Sequence, residues 1–160
     1  GPEHVCIVGK NGSGKSTIMK EIAASLLART DIHAFYMPQN YEDQLPLSLT
    51  PVEYLTETGN REEYVKICTF LGSMKFTADE MQHEIRELSG GQKAKLIFLK
   101  MTMGKYNVLL LDEPTRNLSP LSNPVVRDML KEFPGAILSV SHDRKFISEV
   151  CGRCIYLEIS

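Results

Sequence analysis

The sequence predicts an α/β fold: a mainly parallel sheet flanked by helices, with a helical subdomain inserted in it. Three observations carry this reading. Short apolar runs alternate with helical patterns along the chain. Several of those runs, Val5–Val8 and Asn107–Leu111 among them, are apolar throughout rather than at every second residue, as strands covered on both faces are. The stretch from about 40 to 106 breaks the alternation, with several helices and no clear strand. At 160 residues the chain has the size of one domain, and a chain near that length buries roughly 68–70% of its unfolded surface.

The elements follow in order. Val5–Val8 is a buried strand that runs into a glycine-rich turn. Lys15–Arg29 is a helix, with Ile18, Ile22 and Leu26 four apart and Met19, Ala23 and Leu27 beside them. His33–Met37 is a second strand, stopped by Pro38. Residues 40–50 form a loop, and Pro51 opens a short helix capped by Thr50. Arg61–Leu71 reads as a helix through Tyr64, Ile67, Cys68 and Leu71, and Ser89 starts another that runs to about Met103. Then come the strand Asn107–Leu111, a helix Leu121–Phe133 through Leu121, Val125, Met129 and Phe133, the strand Ala136–Val140, the helix Asp143–Val150 and a last strand Cys154–Glu158.

Composition excludes several classes. A net charge of −2 argues against a free-standing, non-specific nucleic-acid or membrane binder, which would carry a basic surface, though a local patch for RNA stays open. No apolar run approaches the roughly 18 residues that span a bilayer, so direct membrane insertion is not expected. Cys6 and Cys68 read as small hydrophobes. Cys151 and Cys154 have C-x-x-C spacing, but no second ligand pair for a structural zinc site accompanies them. A reduced, cytoplasmic chain is the simpler expectation.

Three motifs carry the chemistry. Gly9-Lys10-Asn11-Gly12-Ser13-Gly14-Lys15-Ser16-Thr17 follows a strand and opens a helix, which is the setting a phosphate-binding P-loop needs. Its glycines let backbone N–H groups curl around an anion, and the helix N-terminus adds partial positive charge there. Lys15 brings a full charge to the β- and γ-phosphates, and Ser16 offers a hydroxyl to Mg²⁺. The strand Val108–Leu111 then ends in Asp112, the carboxylate that completes a magnesium site, and Glu113 follows where it can polarise a water. The fold is therefore that of a P-loop NTPase with ATP and Mg²⁺ as cofactors. Third, Leu88-Ser89-Gly90-Gly91-Gln92 stands before a helix as a second anion site. An isolated Ser-Gly-Gly would be no more than a cap; this one lies between a P-loop and an acidic strand.

With these motifs in this order the chain resembles the ATP-binding-cassette family, whose signature is LSGGQ, over essentially its whole length. The resemblance implies further roles. Gln39, in Tyr36-Met37-Pro38-Gln39, looks like the glutamine that touches Mg²⁺ and the attacking water, so the metal set becomes Ser16, Gln39 and Asp112. His142, in Ser141-His142-Asp143, looks like the switch histidine at the γ-phosphate, and Glu113 like the general base. It also implies a second cassette as partner: two halves pair head to tail, each nucleotide held between the P-loop of one and the LSGGQ of the other.

Asp112-Glu113-Pro114-Thr115-Arg116-Asn117-Leu118 and Ser141-His142-Asp143-Arg144-Lys145-Phe146 look like the ABC-F branch, soluble two-cassette proteins that act on ribosomes as translation or antibiotic-resistance factors. The short span between Gln39 and the signature looks more like a second cassette than a first. The chain departs from the pattern twice. Ser119 and Pro120 stand where the branch has an aspartate after Asn-x-Leu, which puts the contact between the two sites in doubt. No antiparallel β-subdomain with its adenine-stacking aromatic precedes Val5, so the expectation is one trimmed cassette spanning 1–160, with core 3–39 and 107–160, a helical subdomain of about 40–106, and weak base binding. Three readings stay open: the ATPase cassette of a ribosome-acting factor, with ribosome or tRNA as partner; the ATPase subunit of a membrane transporter, with Asn40–Pro51 as the dock for a membrane subunit; and a nucleotide-binding interaction module with little turnover.

Overall fold

The structure is a computed structural model and describes residues 3–10, 14–116 and 118–157. Five strands form one sheet: β1 (His4–Val8), β2 (Ala34–Met37), β3 (Val108–Asp112), β4 (Ala136–Val140) and β5 (Arg153–Tyr156). All pairings are parallel and the order is β2-β3-β4-β1-β5. Because β3, β4 and β1 are neighbours, the loops that leave their C-terminal ends gather at one edge of the sheet, where open parallel sheets bind ligands. Helix α1 (Lys15–Leu27) follows β1, α6 (Asn123–Lys131) lies between β3 and β4, and α7 (Arg144–Val150) between β4 and β5. Among the described residues no helix is long and apolar enough to cross a membrane.

The uniform apolarity of β3 has its cause in two cores. Leu109 and Leu111 point into a large cluster on one face, and Leu110, one residue out of phase, points into a smaller one with Met19 and Ala23 of α1 on the other. Each fully buried leucine contributes about 1.5–3 kcal/mol relative to exposure. The large cluster is centred on α5 (Gly90–Met103), whose Leu96, Ile97, Phe98, Leu99 and Met101 are all buried. A helix apolar on nearly every side has to run through an interior, and this one carries the signature at its start.

Between β2 and α5 the chain is helical: α2 (Pro51–Leu55), α3 (Arg61–Ser73) and α4 (Ala78–Gln82), with 3-10 turns at Tyr41–Gln44 and Ile85–Glu87. The turn at 41–44 falls in the expected loop, and α4 was not expected at all, since none of its residues is buried. It rests on a reciprocal cap instead: Glu80 N donates to Thr77 Oγ1 at 3.1 Å and Thr77 N to Glu80 Oε1 at 2.9 Å. Thr50 and Glu53 cap α2 in the same way.

The expected helix Leu121–Phe133 needs correction. It starts at Asn123, Leu121 is 89% exposed, and the buried stripe is Val126 and Leu130, one position on from Val125 and Met129. Arg127 is buried with them, because its guanidinium donates to Glu149 of α7 at 2.6 Å. The last strand spans Arg153–Tyr156 rather than Cys154–Glu158, and Glu158 lies outside the described residues.

Candidate nucleotide site

The turn after β1 delivers its residues through Gly14. Its φ of 84° is left-handed, a conformation glycine takes without cost, and it sets the first turn of α1 at once, with Ile18 N donating to Gly14 O at 3.0 Å. Lys15 is buried at that helix start, and its Nζ donates to the carbonyls of Gly9 and, at 2.8 Å, of Lys10. The cation is thus held at the mouth of the loop. Asn11, Gly12 and Ser13, three of the expected phosphate-binding residues, lie outside the described residues.

A hollow of about 340 Å³ opens beside Lys15, lined also by Gly14, Ser16, Thr17, Gln39, Glu113 and His142. Asp112 lies beneath it at the end of β3, and its Oδ1 is buried without a hydrogen-bond partner. Burial pushes the Asp112 carboxyl above its ordinary pKa, while the Ser16 hydroxyl, Lys20, the Gln39 amide and Arg116 hold it back towards the charged form. A buried orphan carboxylate oxygen facing a serine hydroxyl and an amide is an all-oxygen donor set of the kind a hard divalent cation takes. The residues present fit Mg²⁺.

Glu113 has a φ of 53°, left-handed and strained for a side chain-bearing residue. Its N–H donates to Val140 O at 2.8 Å, which pins the acidic turn to the end of β4. The side chain is 14% exposed, and Glu113 Oε1 lies 3.3 Å from His142 Nε2. Burial raises the Glu113 pKa, and the neighbouring His142 and Lys15 oppose the rise. A carboxylate moved up from its usual range is better matched to accepting a proton near neutral pH.

His142 is placed by residues the sequence reading quoted but gave no role. Asp143 caps α7, accepting from Lys145 N at 3.0 Å and Phe146 N at 3.2 Å through Oδ1. Its Oδ2 accepts from Thr115 Oγ1 at 2.9 Å. One carboxylate therefore ties the loop after β4 to the loop after β3. The signal was present in the sequence, an aspartate three residues before an apolar helical face, but its second partner lies 28 positions away.

The signature residues form a second place. Ser89 caps α5, accepting from Gln92 N at 3.2 Å, and Leu88 is buried. A Cβ on Gly91 would meet nothing within 4 Å, so that stretch of backbone stands open. Gln92 turns inward: its Nε2 donates to Lys75 O at 3.3 Å and to Glu80 Oε2 at 3.2 Å. Ser89, Gly91 and Gln92 line an open hollow of about 670 Å³ that shares no lining residue with the one beside Lys15. Ser119, in the position of the expected aspartate, spends its hydroxyl locally on Ser122 Oγ at 3.0 Å.

Fold and site together define a P-loop NTPase fold with two separate hollows, one beside Lys15 and one beside Ser89. The ABC transporter family model matches residues 2–116, and the chain belongs to that family. Its relatives include F family members 5, 2 and 4 of the ABC transporters from Arabidopsis thaliana. ABC transporter F family member 5 is 34% identical over 98% of this chain and 24% of its own length. ABC transporter F family member 4 is 36% identical over 92% of this chain and 22% of its own. The chain spans about a quarter of the length of the curated relatives it matches. Among solved structures, the ATP-binding cassette MJ0796, in a dimeric post-hydrolysis state bound to ADP and Pi, superposes with a TM-score of 0.77 at 22% identity, over 98% of this chain and 81% of that one. The complex of archaeal ribosome recycling factor aABCE1 with ribosomal stalk protein aP1 gives 0.76 at 24% identity, over 99% of this chain and 32% of its counterpart. At these identities the superpositions show the fold.

Proposed function

We propose that the chain binds Mg-ATP and hydrolyses it at a composite interface with a second cassette, as part of an ABC-F type, ribosome-associated factor. The observation that carries this is the convergence of Ser16, Gln39, Asp112, Glu113 and His142 on the hollow beside Lys15. Lys15 holds the phosphates. Ser16, Gln39 and Asp112 hold Mg²⁺, which when bound offsets phosphate charge. Glu113 accepts the proton of the attacking water through its carboxylate, and His142, 3.3 Å away, orients that carboxylate and faces the γ-phosphate. The separation of the signature hollow from this one supports a head-to-tail pair, in which each nucleotide is gripped by both halves.

The similarity to F family members in plants supports the ribosome-acting branch over a transporter subunit. In the segment 40–51 Tyr41 and Leu45 are buried in the chain's own core and Leu49 packs against it, while Leu47 is 39% exposed, so most of its apolar side chains are not offered as a dock. Low turnover is the second reading, favoured by the local engagement of Ser119. Size-exclusion chromatography with light scattering on Glu113→Gln, beside the ATPase rate of the parent chain, tests the proposal. A dimer with Mg-ATP and not with ADP is expected, together with co-sedimentation with ribosomes. A monomer under both conditions and a parent without turnover would favour the second reading, and co-purification with a membrane subunit would favour the transporter.

A further inference from the structure

Lys75 sits where α3 ends, with a φ of 69° that residues with side chains rarely adopt. The turn closes α3 as a C-cap, with Lys75 N donating to Gly72 O and Phe76 N to Leu71 O, both at 3.0 Å, and two side chains brace it. The Lys75 carbonyl accepts from Gln92 Nε2, and the carbonyl of Met74 before it accepts from Lys95 Nζ at 3.2 Å. Both donors come from the first turns of α5, so the strained turn is laced to the signature helix itself. The outcome is that Lys75 lines the same open hollow as Ser89 and Gly91, with Lys95 and Arg116 on its walls.

The three cations are not equivalent. Burial lowers the Lys95 pKa while Glu80 nearby supports its charge, and its ammonium is spent on the Met74 carbonyl, so it acts as a brace. The side chains of Lys75 and Arg116 form no hydrogen bond or ion pair among the described residues. The hollow therefore combines a helix N-terminus, open backbone at Gly91 and two exposed cations, of which Arg116 also feels the Asp112 carboxylate, a set suited to a polyanion rather than a neutral ligand. Lys75 stays in a strained conformation at the rim although a glycine would sit there without strain.

We propose that Lys75, with Arg116, grips the polyphosphate of the nucleotide that a second cassette carries, acting in trans beside Ser89; this rests on the head-to-tail reading above. The test uses Glu113→Gln as the parent and follows ATP-dependent dimerisation by light scattering, with a fluorescent ATP analogue reporting the nucleotide site of the monomer. Lys75→Gly removes the charge and the backbone strain together, and its urea midpoint should match or exceed the parent's, which separates a lost contact from misfolding. It should raise the ATP concentration for half-dimerisation about tenfold or more, the scale of one lost charged hydrogen bond. Lys75→Arg should stay near the parent, and the monomer should bind the analogue as before. Mixing Lys75→Gly with Lys15→Ala should restore dimers, because the mixed pair keeps one site with both halves intact. Dimerisation of Lys75→Gly at the parent's ATP concentration would overturn the inference, as would an equal loss in monomer binding. A parent that stays monomeric in ATP would remove the head-to-tail reading beneath it, and the inference with it.

Discussion

Asp143 is the carboxylate on which two loops of the site depend, and its removal should be costly. In Asp143→Ala, α7 loses the cap that satisfies Lys145 N and Phe146 N, about 1 kcal/mol. It also loses the bond from Thr115 Oγ1 to a charged acceptor, about 1.5–3 kcal/mol. Together these come to about 3 kcal/mol, a large share of the roughly 5–15 kcal/mol that holds a domain folded. Asp143→Asn keeps both a capping oxygen and a polar group towards Thr115, and should cost less than about 1 kcal/mol. Thr115→Val should cost about 1.5 kcal/mol alone and nearly nothing once Asp143 is alanine, since the bond is shared. Urea unfolding of the two single variants and the double variant at neutral pH measures this. Equal losses in Asp143→Asn and Asp143→Ala, or simple additivity of Asp143→Ala with Thr115→Val, would refute the latch.

The remaining predictions concern the acidic turn and the core. Burial raises the Glu113 pKa above its unfolded value, so its contribution to stability is full below that unfolded value and is lost as pH rises through the folded one. Glu113→Gln should therefore unfold at higher urea than the parent at pH 7.5, with the gap closing towards pH 4.5, while turnover falls about 10²–10⁴-fold; a variant less stable at pH 7.5 would contradict the assignment. Asp112 is raised by burial in the same direction, so Asp112→Asn should also stabilise the chain without metal, and should lose the added thermal stability that Mg-ATP gives the parent, as differential scanning fluorimetry would read. Phe98→Ala, in the centre of the large core, should cost about 3–5 kcal/mol, whereas Leu121→Ala, at an 89% exposed position, should stay within about 0.5 kcal/mol in the same unfolding assay.

The parts of the fold readable from the sequence were those set by burial on both sides. The run Val108–Asp112 had to be a central strand, and its ends located the acidic pair without further information. The P-loop and the signature are legible as motifs because each is a contiguous run of residues at the start of a helix. Two kinds of feature escaped. Helix α4 buries no residue fully, leaning only Met81 on the large core, and is set by the Thr77–Glu80 cap, so periodicity carries little trace of it. The face of α6 was misjudged because Leu121, Val125, Met129 and Phe133 are evenly spaced by four, while the true stripe includes Arg127, buried only because Glu149 of α7 answers it. In the site, the partners Thr115 and Asp143, and Lys75 and Gln92, are far apart in the chain. Such pairings depend on tertiary placement that composition and spacing do not encode.

The position of β1 in the sheet bears on when the site can exist at all. β1 comes before the other described strands in the chain, yet its neighbours among them are β4 and β5, in residues 136–156. Until those residues emerge, neither of these two neighbours is available to the strand that carries the phosphate loop, and closing so long a loop is among the slow steps of folding. Within this stretch the arrangement is thus a late property of the nascent chain: a chain cut short before β4 carries the P-loop sequence without the strands that flank it here.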